Sequence, residues 1–164
     1  MSEILHAWAV APAAVGACCL AADRARVRPP EVVASVLMLL AMLDAAAFEV
    51  VAPVGWTALL LTAAVGLAVW RRPRQRRAAR VPVMMTLHTT LGMVAMAALQ
   101  LGMGGHGAST GHAHGVALAP FLLAIAAGYA GLSIAAIRRM PARLDRTQIG
   151  AMAVSVALMT VAAV

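Results

Sequence analysis

Apolar residues in this chain come in long blocks. Six stretches, approximately 4–22, 32–52, 55–70, 81–103, 116–137 and 147–164, are apolar almost all the way round a helix. A helix needs about 20 such residues to cross the hydrocarbon core of a bilayer. The third and sixth stretches fall short of that and call for little tilt or a thin membrane. Pro29 and Pro30, the Pro53 to Gly55 turn, and Pro141 punctuate the blocks. Trp8, Trp56 and Trp70 fall near predicted helix ends, where indole rings favour the headgroup level. The pattern predicts an all-α polytopic membrane protein, a six-transmembrane-helix bundle forming one domain over 1–164.

Composition agrees. Of 164 residues 63% are hydrophobic, and mean hydropathy is +0.88, where soluble domains are roughly 45–50% apolar. All thirteen basic residues are arginines, and they fall into three clusters: Arg24, Arg26 and Arg28; Arg71, Arg72, Arg74, Arg76, Arg77 and Arg80; Arg138, Arg139, Arg143 and Arg146. Apolar blocks end alternately at a cluster and at an arginine-free turn. This positive-inside alternation places loops 23–31, 71–80 and 138–146 in the cytoplasm. The N-terminus, the turn at Pro53, the loop 104–115 and the C-terminus are then extracytoplasmic. The two three-helix halves would have opposite orientation, without a residue-level repeat. The net charge of +7 is explained by membrane flanks and anionic headgroups, which removes nucleic acid as a partner. A lysine-free chain rich in alanine, valine and arginine fits a GC-rich bacterial genome, so the expected location is a bacterial cytoplasmic membrane.

Cys18 and Cys19 are adjacent and make no disulfide framework. Val15-Gly16-Ala17-Cys18 has the look of a lipoprotein cleavage box, but the preceding segment carries Glu3 and no positive residue. The first stretch is therefore read as a helix of the mature protein.

Three features carry candidate chemistry. In the fourth stretch, at about 100° per residue, Met85, His88, Thr89, Gly92, Met96, Gln100 and Met103 fall within roughly 60° of one direction. That face is expected to point into the bundle, either as an adaptable methionine-filled interface or as a soft-ligand track for Cu(I). Second, the glycine-rich loop GGHGASTGHAHG holds His106, His112 and His114 within nine residues. Short His-rich tracts favour metal binding, although no cysteine or close carboxylate completes a zinc pattern. Third, Asp44 lies about 12 residues into the second stretch, roughly 18–20 Å deep by helical rise. A carboxylate there needs a partner or a cavity. Glu49 is placed nearer the outer surface, on the face of Met38 and Met42. By depth, His6, Glu49, Met103, His106, His112 and His114 are expected to gather in an outer polar cluster. A single deep histidine, His88, argues against a bis-histidine haem and leaves a His88–methionine pair as the conceivable haem ligation. Tyr129 and Ser133, one turn apart, read as packing. No P-loop, GxSxG or HExxH pattern occurs, and no nucleophile, base and orienting group share a depth, so no enzyme is expected.

The segments SVLMLLAMLDAA and MMTLHTTLGMVAMAAL, followed by the histidine loop, resemble small multi-pass membrane proteins of actinobacteria grouped as a domain of unknown function. The resemblance covers helices two to four and that loop. It implies copper as the ion, while no established activity comes with it. This loop lacks the interleaved methionines of a strong Cu(I) site. The leading expectation is a membrane protein that binds or handles a transition metal, copper favoured, at its outer face. The alternatives are a non-catalytic accessory subunit or homo-oligomer within a membrane complex, and a small proton-coupled transporter using Asp44.

Overall fold

The computed structural model describes residues 2–22, 29–75, 80–104 and 115–163, and side chains at 8–22, 29–70, 83–102 and 119–163. The described residues contain no strand. Six helices follow one another: α1 (Ser2–Ala22), α2 (Pro29–Leu43), α3 (Pro53–Gln75), α4 (Arg80–Gly104), α5 (Gly115–Arg139) and α6 (Arg143–Ala163). A single widened π turn, Asp44–Phe48, continues α2. Five apolar stretches are long enough to cross a membrane: Pro29–Phe48, Pro53–Trp70, Val83–Gly102, Ala119–Arg139 and Arg143–Ala163. In α1 the apolar run Trp8–Ala22 is shorter.

Helix ends depart from the sequence expectation where proline and arginine act as helix residues. Pro29 and Pro30 open α2, and Pro53 opens α3, because the first turn has no use for the N–H that proline lacks. Arginine has good intrinsic helix propensity, so α3 runs on past Trp70 to Gln75 and α6 starts at Arg143. Asp145 in the first turn of α6 favours that start, since a carboxylate complements the positive end of the helix dipole. Arg146 Nε donates to the Met140 carbonyl at 2.7 Å and ties α6 to the short connection after α5.

The second stretch ends earlier than hydropathy suggests. The π turn closes on an i→i+5 bond in which Glu49 N–H donates to the Asp44 carbonyl at 2.7 Å. Glu49 then takes φ 49, the left-handed conformation that ends helices. Asp44 is thus in the last turn before the loop, not deep in a longer span. Its side chain holds that loop. Val50 N–H donates to Oδ1 and Val51 N–H to Oδ2, each at 3.0 Å. The Trp56 indole donates to Oδ2 at 2.7 Å. One carboxylate therefore satisfies two turn amides and fastens α2 to the first turn of α3. The widened turn and the left-handed exit also rotate the chain, so Glu49 is exposed while Met38 and Met42 are buried, and the face expected to unite them does not exist.

α4 is the central element. Its span is 61% buried, against 22% for the spans of α3 and α5. It packs against α2, α3, α5 and α6, and α1 closes the remaining side by lying along α6 and α2. Small residues make the α1 contact close: a Cβ at Gly16 would sit 3.5 Å from the Met152 thioether. Outside, valine, leucine, isoleucine, phenylalanine and tryptophan face away from the bundle on every helix. A surface so continuously apolar needs hydrocarbon as its solvent.

Asp44→Ala is expected to lower the thermal midpoint in detergent and to raise hydrogen exchange at Val50 and Val51. Trp56→Phe should give a smaller loss, with those two amides still protected. Unchanged exchange in Asp44→Ala would refute the clasp.

Candidate functional site

The polar side chains of α4 face inward, and neighbouring helices meet them. Thr86 Oγ1 donates to Glu31 Oε1 at 2.9 Å, and Gln100 Nε2 donates to the Ala41 carbonyl at 3.2 Å. Sequence numbers rise together along both helices, so these two bonds set α2 and α4 parallel and in register. Ala41 lies in the turn just before the widened one. On the opposite flank Thr57 Oγ1 shares its proton between the carbonyls of Pro53, at 2.9 Å, and Ala97, at 3.2 Å, which joins α3 to α4.

His88 is buried and belongs to a three-residue network with α5. Ser133 Oγ donates its one proton to the Tyr129 carbonyl, 2.7 Å away on the preceding turn. Its oxygen is then left to accept, so His88 Nε2 carries the hydrogen and donates to it at 3.0 Å. Nδ1 is left as acceptor for the Tyr129 hydroxyl at a long 3.4 Å. The His88 and Tyr129 rings lie 4.7 Å apart between centroids and 32° from parallel. Gly92 makes room for this arrangement, because a Cβ there would meet Tyr129 Oη at 2.9 Å. Tyr129 and Ser133 are hydrogen-bond partners that the sequence reading took for packing. Their one-turn spacing on α5 was visible; the partner on α4 was not.

Both ring nitrogens of His88 are thus engaged within the protein. Met85, Met96 and Gln100 are buried, as are Thr89 and Gly92, and Met103 has no described side chain. The thioethers show a sharper pattern. Met38 and Met42 from α2, Met93 and Met96 from α4, and Met152 and Met159 from α6 belong to one contiguous buried cluster. Met85 and Met140 belong to a second. Among the described residues no methionine belongs to the exposed large hydrophobics. By a rise of about 1.5 Å per residue, the six thioethers of the first cluster lie roughly 14–24 Å from the arginine-bearing ends of their helices, in the middle of the span.

The expected outer cluster lies almost wholly outside the described residues: His106, His112 and His114 altogether, and His6 and Met103 by their side chains. Glu49 is exposed at the helix exit. Among the described residues no three His, Cys, Asp or Glu side chains gather closely enough to hold a metal ion. Cys18 and Cys19 are free thiols, the first exposed and the second half-buried.

Gly92→Ala is expected to cost about 1–3 kcal/mol through overpacking against Tyr129. Tyr129→Phe should remove most of that penalty in the double variant, read by reversible unfolding in micelles. A Gly92→Ala penalty that is the same in both backgrounds would rule out this contact as its cause.

Comparison of the chain with family models, with curated proteins and with solved structures finds no match in any of the three.

Proposed function

We propose that this helical membrane protein handles a soft monovalent metal ion, Cu(I) by its chemistry, through a thioether-lined interior supplied from the outer face. The observation that carries the reading is the partition of sulfur: among the described residues methionine fills the core and is absent from the exposed large hydrophobics. A residue chosen only for being apolar would be equally at home against lipid. Neutral thioethers suit a soft ion of low charge, whereas a hard divalent ion would need carboxylates or water. His106, His112 and His114 are the capture ligands of this reading, and Met96 and Met93 are the first buried ones. The reading takes all six helices as spans of a bacterial cytoplasmic membrane, with both termini on the outer side. Asp44 has no part in it. Three N–H donors engage the Asp44 carboxylate, which favours the turn role over proton coupling.

The test is competition with a coloured Cu(I) chelator in detergent. Wild type is expected to hold about one ion per chain, and the Met93→Leu, Met96→Leu double variant to bind about tenfold more weakly. Leucine conserves volume at a cost usually below about 1.5 kcal/mol per site, so that variant should fold. Absence of Cu(I) in wild type sinks the reading. Loss only in the His106→Ala, His112→Ala, His114→Ala variant removes the interior from it.

A second reading, an accessory subunit or homo-oligomer, is supported by α5. Ala124, Ala127, Gly128 and Gly131 lie on its exposed side, and a Cβ at either glycine meets nothing within 4 Å. Each helical glycine gives up about 1 kcal/mol relative to alanine, with no neighbour among the described residues to explain it. On this reading Gly131→Leu dissociates an oligomer or a copurifying membrane partner, as measured by mass in lipid nanodiscs. A wild type that is monomeric and partner-free excludes it.

A further inference from the structure

The outer clasp of Asp44 and Trp56 holds α2 and α3 together at one end. Toward the other end a groove of about 290 Å³ opens between them. Its walls are Val33, Ala34 and Leu37 from α2 and Gly66, Leu67 and Trp70 from α3, and Met93 of α4 lies at its floor. No polar side chain lines it. At its centre the α3 backbone is bare, because a Cβ on Gly66 would meet nothing within 4 Å.

Hydrocarbon must fill such a groove in a bilayer, since an empty one forfeits its dispersion contacts. The lining suits an extended alkyl chain, since every residue it touches there is apolar. Charge selects the headgroup. Trp70 is followed at once by Arg71 and Arg72, and position 74, also arginine, lies one turn beyond Trp70 in the register 63, 66, 67, 70 that lines the groove. Basic positions at the mouth of an interhelical cleft favour an anionic lipid phosphate, and a tryptophan at the rim suits the headgroup level.

We propose that the groove between α2 and α3 is a binding site for one acyl chain of an anionic phospholipid, whose phosphate meets the arginines that follow Trp70. This proposal does not rest on the metal reading, although Met93 at the groove floor is also one of that reading's ligands, and the groove opens on the outside of the bundle.

The test is native mass spectrometry of the full chain from mild detergent, with phosphatidylglycerol or phosphatidylcholine of identical chains added. Wild type is expected to retain one phosphatidylglycerol in preference to phosphatidylcholine. Gly66→Leu, whose Cβ meets nothing within 4 Å and whose side chain would occupy the groove, should weaken retention about tenfold. Gly128→Leu, equally open but on α5, should leave it unchanged. The Arg71→Gln, Arg72→Gln, Arg74→Gln variant should abolish the headgroup preference and keep weak binding of both lipids. Circular dichroism melts check that each variant folds, and the arginine variant decides the matter if Gly66→Leu does not. Equal retention of the two lipids by wild type overturns the proposal. So does full retention by folded Gly66→Leu, or a dimer that Gly66→Leu dissociates, which would put a second copy in the groove.

Discussion

Hydrocarbon offers no hydrogen bonds, so α4 can carry Thr86, His88 and Gln100 only because other helices close around it with partners in place. Most of the architecture answers to that condition. The Glu31 and Ala41 acceptors set α2 parallel to α4. Thr57 reaches the Ala97 carbonyl from α3, and Tyr129 with Ser133 closes the α5 side around His88. Each interhelical bond of this kind contributes modestly, about 0.6 kcal/mol on average in membrane proteins. Their larger effect is on specificity: a wrong register would strand a buried polar group at a cost of about 1–3 kcal/mol. Polar residues on the central helix thus choose one bundle among many that apolar packing alone would allow.

Packing between those bonds relies on two unlike side chains. Alanine is frequent in the core, at Ala9, Ala13, Ala34, Ala41, Ala64 and Ala95 among others. It lets helices approach closely and leaves irregular gaps between them. Methionine, long and unbranched, fits such gaps. The same choice concentrates polarizable sulfur at mid-depth among α2, α4 and α6. Packing and soft-ion chemistry therefore make the same demand on the core, and the Met→Leu comparison is informative because it changes sulfur while keeping volume.

The α2–α3 pair shows how one carboxylate shapes a distant surface. Asp44 binds both turn amides and the Trp56 indole, which joins the helices at the turn between them. Further along the same pair the groove floored by Met93 opens.

What the sequence by itself determined was everything that depends on a property summed along one segment. Hydropathy over about 20 residues marked the apolar helices, and 100° periodicity identified the buried face of α4 from Met85 to Gln100. Helix ends came out less well at residues 48, 75 and 143. Proline and arginine are read as breakers or flanks in a sequence but act as helix residues in place, and the widened turn after Leu43 has no local signature. Only the tertiary structure decided which segments meet. Asp44 read as a deep acid until Trp56 and the Val50 and Val51 amides came into contact with it. Tyr129 and Ser133 read as filler until α5 lay against His88, and Glu49 left the Met38 and Met42 face when the chain turned through φ 49. A hydrogen bond between helices depends on two positions 12 to 59 residues apart. Neither position carries a mark of the other, and only the packed bundle brings them within 3 Å or so of each other.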